Sequence, residues 1–179
     1  MITELSRGRR FGVAFTALAL AALVFRPQIA DALIVRGDDY VYRRDSAAAL
    51  ERYRRALTLW PLSATAADRY VFLSMQQNTP QSLRAGIDVA TRYLSYRPSD
   101  APILSDRALC YLHQKRYALA LTDFERAARV LQTPQSYAFA GWAAQRAGHH
   151  RAAIALWRRA LDIQPQYRPA LIALAEHPG

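Results

Sequence analysis

Residues 141–165 read GWAAQRAGHHRAAIALWRRALDIQP, and their spacing decides the fold. Gly141 is followed twelve positions on by a second small residue, Ala153, then by bulky Trp157, small Ala160 and finally Pro165. The same order recurs upstream as Gly37, Ala49, Tyr53, Ala56 and Pro61. A third copy runs Ala108, Ala120, Phe124 and Ala127, with Gln132 where the proline would stand. Ser74, Gly86, Ala90, Tyr93 and Pro98 form a degenerate fourth. The corresponding residues Ala49, Gly86, Ala120 and Ala153 lie 37, 34 and 33 positions apart. A period of about 34 belongs to repeats built from paired helices.

Close packing of two antiparallel helices explains the pattern. Small residues sit where the backbones approach most closely, and an aromatic ring fills the space beside them. Proline after the second helix stops it, because it has no N–H and restricts the residue before it. Thr79-Pro80 and Thr133-Pro134 each read as an N-cap followed by a first helical residue, and Gly148 as the end of another helix. His113 falls near a helix end, where it complements the dipole.

With these positions, roughly residues 30–179 resemble the tetratricopeptide repeat family. The resemblance implies an all-α, right-handed α-solenoid of about four helix-turn-helix repeats. By spacing they cover about residues 30–63, 67–100, 101–133 and 134–166, with a capping helix at 167–176. That helix carries Pro169 in its first turn and is expected to turn Leu171, Leu174 and Ala175 to one side. So short and alanine-rich a cap covers the last repeat thinly, which leaves a homo-oligomer or a partner subunit open.

Composition agrees with one helical domain and an appendage. A chain of 179 residues, 52% hydrophobic with only 7 glycines, has material for a single core of this kind. No hairpin dipeptide stands between alternating β-branched runs, so strands are not expected. Cys110 is the sole cysteine, which excludes a disulfide framework and a cysteine metal cluster; it reads as a small core hydrophobe.

The N-terminus is different material. Residues 1–10 form a basic tail with Arg7, Arg9 and Arg10, and residues 11–26 read as a transmembrane signal-anchor, with the repeat domain following over 27–179. The uncharged run 11–25 would span about 22 Å as a helix, short of a hydrocarbon core of about 30 Å. Arginines at both ends can snorkel to make up the difference. Cleavage as a signal peptide and a buried core helix are the competing readings; against cleavage, the small-x-small site Ala30-Asp31-Ala32 would cut into the first repeat helix. Basic residues crowd the N-terminal flank, so the expected placement is a bacterial inner membrane, single-pass, with the repeats periplasmic. Arg36, Arg43 and Arg44 beyond the span keep a cytoplasmic-facing orientation open.

Net charge is +10, and Lys115 is the single lysine. Arg55, Arg92, Arg126 and Arg159 recur once per repeat, each just before a packing residue of the second helix. Stacked repeats would align them as a basic stripe on the convex face, suited to anionic lipid headgroups or an acidic partner. Sequence-specific RNA binding would want exposed aromatics or a known module, and neither is evident, so nucleic acid is not the expected partner.

In the family, first helices line a concave groove. The resemblance places Ile34, Asp38 and Tyr42 there, then Val71, Met75 and Asn78, then Ser105, Leu109 and Leu112, and last Gln135, Ala138, Trp142, Gln145 and Arg146. The lysine-and-asparagine set with which some members grip a terminal carboxylate is missing. The apolar lining instead suits an apolar segment of another protein, with Trp142 as anchor and Met75 adapting its shape. Nothing points to catalysis. His149-His150 lacks a carboxylate or cysteine at ligand spacing, Asp38 and Asp39 diverge on a helix, and no phosphate loop, nucleophile elbow or HExxH is present. Neither metal nor cofactor is expected. The reading is a non-catalytic, membrane-tethered adaptor for other proteins, subunits of envelope complexes above all. A soluble periplasmic module and a cytoplasmic-facing scaffold are the alternatives.

Overall fold

The computed structural model describes residues 24–177. Nine helices, and no strand, form among the described residues. The chain divides into two compact units, one ending at Ser63 and the other starting at Ala64. Most of the apolar run assigned to a membrane anchor lies outside the described residues. Among those described, no helix is long and apolar enough to cross a membrane.

The first unit is one helical hairpin, α1 (24–42) and α2 (Ser46–Leu59). Arg44 takes a left-handed backbone in the turn, and Asp45 caps α2 by accepting from the Ala48 N–H at 3.0 Å. Gly37 of α1 sits directly beneath the Tyr53 ring of α2, where any Cβ would overlap it. The Tyr53 hydroxyl then donates to Asp38 Oδ1 at 2.6 Å. Ala49, Tyr53 and Ala56 are the buried residues of α2, the small–bulky–small set that the sequence repeats.

The second unit carries three more hairpins and a cap. These are α3 (Ala64–Gln77) with α4 (Pro80–Tyr96), α5 (Ala101–His113) with α6 (Tyr117–Leu131), and α7 (Pro134–Arg146) with α8 (His150–Ile163); α9 (Arg168–Glu176) closes the row. Successive hairpins stack: α3 and α4 against α5, α6 against α7, and α8 against α9. Helix-turn-helix pairs layered in chain order are the architecture the 34-residue period requires.

Local chemistry sets the hairpin turns. Lys115 and Gly148 adopt left-handed backbone five residues before Ala120 and Ala153, as Arg44 does before Ala49. Each turn closes with a pair of hydrogen bonds, Lys115 N–H to Leu112 O and Arg116 N–H to Tyr111 O in one, Gly148 N–H to Gln145 O and His149 N–H to Ala144 O in the other. Such bonds satisfy carbonyls left over at a helix C-terminus. The α3–α4 turn departs from this scheme. There the left-handed residue is Asn78 and α4 starts at Pro80, giving a 17-residue helix with an additional first turn. That extra length accounts for the long interval between Ala49 and Gly86. Thr79 and Thr133 are the expected N-caps, and each forms a reciprocal capping box, with Ser82 and Ser136. Gln132, standing in for a proline, ends α6 with left-handed backbone of its own.

Packing repeats with the sequence. Trp157 is fully buried over Gly141 among Ala138, Ala144, Ala153, Ala160, Ala170 and Ala173. Phe124 packs with Ala108, Ala120, Ala140 and Ala143, its ring stacked on Phe139 at 5.6 Å. In the degenerate copy, a Cβ on Gly86 would stand 3.2 Å from the Ser74 Cβ, so the close approach persists with smaller partners. One polar element crosses this packing. Arg107 of α5 donates from Nε and Nη2 to the two carboxylate oxygens of buried Asp123 on α6, at 2.7 and 2.8 Å, and from Nη1 to Thr91 Oγ1 on α4 at 3.0 Å. The cap differs from expectation. α9 buries Ala170 and Ala173 with Leu174 half-buried, whereas Leu171 and Ala175 face solvent. The alanine ridge wins because only small residues let so short a helix approach α8.

Candidate functional site

The residues assigned to a groove have different fates. In the first unit Ile34 is buried, Asp38 accepts from Tyr53, and Tyr42 is almost fully exposed. In the second, Val71 and Ala138 are closed off from solvent and present no surface to a ligand. Both lie on helix faces that the interhelical core claims. Met75, Ser105, Leu109 and Leu112 are half-buried, Leu109 and Leu112 packing against the Phe124 cluster and Ser105 Oγ donating to Ala101 O. Asn78 Oδ1 lies 2.9 Å from His113 Nδ1, tying the end of α3 to the end of α5; Gln135 is exposed.

Four of the assigned residues converge. Leu112, Trp142, Gln145 and Arg146 line an open cleft of about 600 Å³ with His113, Lys115, Tyr117, Glu176 and His177. The ends of α5 and α7 form its walls, and the α5–α6 turn and the end of α9 its rim. Trp142 is 41% exposed and is braced by an edge-to-face contact with Phe139 at 5.6 Å. Gln145 is held from two sides, its Oε1 2.8 Å from His150 Nδ1 and its Nε2 3.1 Å from His177 Nδ1. His177 also stacks on Trp157, so the end of α9 is fastened beside the cleft. A second hollow of about 410 Å³ lies on the other side of Trp142, lined by Arg168, Pro169, Ile172, Ala173 and Glu176.

His113, Lys115, Tyr117, Glu176 and His177 were missed by the groove assignment; all but His113, at the end of α5, lie outside the first helices to which it was confined. A signal was present for one of them: Lys115 stands five residues before Ala120, the place of the hairpin turn.

The arginines of the proposed stripe are mostly occupied within the chain. Arg55 pairs with Glu51 at 2.7 Å, and together with Arg54 it holds the Glu51 carboxyl below its usual range. Arg126 donates to Pro98 O at 2.7 Å and lies 3.8 Å from Asp123, Arg159 lies 3.8 Å from Asp162, and Arg92 is exposed. Elsewhere, burial pushes the Cys110 thiol up to about 12, which leaves it a packing group. Among the described residues no cluster of three or more His, Cys, Asp or Glu is placed to hold a metal.

The profile of the tetratricopeptide repeat matches residues 34–67 and 81–136, just over half of the chain. The chain belongs to the tetratricopeptide repeat family. None of the curated proteins compared matches it in sequence. Solved tetratricopeptide repeat structures superimpose well at low identity. A protein of this family from Parabacteroides merdae is 19% identical with a TM-score of 0.69, over 83% of this chain and 58% of its own length. The present chain therefore spans less than two thirds of that relative. A thermophilic member from Thermus thermophilus is 21% identical with a TM-score of 0.62, covering 94% of this chain and 95% of its own. PilF of Pseudomonas aeruginosa is 19% identical with a TM-score of 0.67, over 84% and 68%. These likenesses concern the tetratricopeptide repeat fold. Such repeats mediate protein–protein interaction.

Proposed function

We propose that this protein is a non-catalytic adaptor that holds another polypeptide in the cleft around Trp142. The exposed indole carries the reading. It is a large apolar side chain left open to solvent in a concave site, braced from behind by Phe139, while the bulky residues of the repeat pattern, Tyr53, Tyr93, Phe124 and Trp157, are buried. Leu112 and Tyr117 extend the apolar wall.

The apolar run before the repeats would tether this adaptor in a bacterial inner membrane with the repeats on the periplasmic side, where its clients are envelope proteins. Confinement raises the effective concentration of membrane-bound partners, so modest affinity in the cleft suffices. Anionic lipid contact is a lesser role in this proposal, because Arg55, Arg126 and Arg159 already have partners in the chain.

A photoreactive amino acid at Gln145 in the full chain tests the adaptor. The expected outcome is a discrete protein adduct that disappears with Trp142→Ala; adducts indifferent to that substitution would exclude the cleft. Tethering is checked separately. The chain should stay with membranes through alkaline extraction and keep its N-terminus, whereas a soluble product starting near Ala32 would mean a released module. A protease-accessible C-terminus in spheroplasts distinguishes the periplasmic from the cytoplasmic orientation.

A further inference from the structure

Resting on the adaptor reading, we propose that the segment taken by this cleft is acidic as well as apolar, with Asp or Glu side chains flanking a hydrophobic one. The cleft pairs an apolar floor with a cationic rim. Leu112, Tyr117 and Trp142 supply the floor. Lys115 and Arg146 supply the rim, from the α5–α6 turn and the last turn of α7, and both are exposed.

Neither cation of the rim is tied up within the chain. Arg54, Arg55, Arg107, Arg126 and Arg159 all form ion pairs with carboxylates of the chain, but among the described residues none engages Lys115 or Arg146. Glu176 is the lone acid of the lining, set against these two cations. A rim of net positive charge around an apolar floor favours a partner of opposite charge and penalises a basic one. Lys115 is also held in place: its backbone is left-handed, and its N–H and that of Arg116 are tied to the end of α5. A cation rooted on a fixed stretch of backbone beside an apolar pocket favours an acidic group next to an apolar one. The carboxylates in this proposal are side chains, so the probe peptides are capped at both ends.

The test uses the full chain in detergent and fluorescent peptides of about twelve residues, capped at both ends, read by anisotropy. One peptide places Glu on either side of Leu and Phe, a second replaces each Glu by Gln, and a third keeps Glu but replaces Leu and Phe by Ser. The first should bind at least about tenfold more tightly than the second, and weaken as salt rises toward 0.3 M. A Lys115→Met, Arg146→Met double variant, its fold checked by circular dichroism, should erase the preference for the first peptide over the second. Equal binding of the first two peptides, or a preference untouched by the double variant, would overturn the proposal. Binding of the third as tight as the first would overturn it too, leaving charge alone. An uncapped C-terminus that binds far better than the capped peptide would shift recognition to a terminal carboxylate and defeat the side-chain assignment. If no peptide binds while the Trp142-dependent adduct persists, the acidic inference falls and the adaptor stands.

Discussion

The indole of Trp157 occupies the space that a side chain on Gly141 would need. A Cβ there would overlap Nε1 and Cδ1 of the ring, and Gly37 stands in the same relation to Tyr53. Two helices of a hairpin are thus keyed together sixteen residues apart in sequence, once in each unit. The key explains why these two copies carry glycine on one helix opposite an aromatic on the other.

Gly141→Ala should therefore destabilise the second unit by about 1–3 kcal/mol, the usual cost of overpacking a filled core. Gly86→Ala should cost less, because the nearest neighbour would be the Ser74 Cβ at 3.2 Å. Urea unfolding followed by far-UV circular dichroism ranks the two. An unchanged midpoint for Gly141→Ala would mean that the indole can move aside.

Arg107 and Asp123 make the principal polar lock, joining α5 to α6 through two charge-assisted bonds in a nearly dry setting. Arg107→Ala leaves the Asp123 carboxylate buried and poorly compensated, with Arg126 only at 3.8 Å. The expected cost is about 3 kcal/mol, the lower end for broken buried pairs, since Arg107 keeps some contact with water. Arg107→Met combined with Asp123→Leu should recover much of that loss in the same unfolding measurement.

Much of this architecture was legible in residue spacing, and the reason is geometric. Small–bulky–small positions are forced by close helix contact, and Thr-Pro pairs by the needs of a helix start, so both survive as sequence marks. The ion pair between Arg107 and Asp123 left no such mark, since sixteen residues separate two charges that look like any others on a helix surface. Val71 and Ala138 were misplaced for a related reason. A residue on a first helix can face the groove or the next helix, and a shift of one residue, about 100° around the helix, decides between them. The cleft was half visible: Trp142 and Arg146 follow from helix phase, whereas Lys115 and His177 reach it only through a turn and a terminus.

Asp106 gives the second unit a pH dependence. Burial first, and then the charge of Asp68 and a hydrogen bond with its carboxyl, push the Asp106 carboxyl up to about 7. In the unfolded chain the same group titrates near the ordinary value of 3.8. The folded state thus holds a proton that the unfolded state releases between those two values, and stability falls as pH rises through that window. Thermal midpoints should rise as pH is lowered from 8 toward 5.5. Asp106→Asn, neutral throughout, should flatten that part of the profile relative to the parent chain. A parallel profile in the variant would assign the effect to other groups.

Trp142 and Trp157 sit on neighbouring helices of one hairpin and should behave oppositely when truncated. Trp157 is fully buried in the alanine-rich cluster, so Trp157→Ala opens a large cavity and should cost about 3–5 kcal/mol. Trp142 is exposed on one side, and its chief internal contact is the edge-to-face pair with Phe139, worth about 0.5–1.5 kcal/mol. Trp142→Ala should lower the unfolding midpoint much less than Trp157→Ala while removing partner capture. An indole kept for packing would show the reverse, a lower midpoint with capture intact. Both quantities can be read on one preparation, so a general loss of structure cannot pass for a loss of binding.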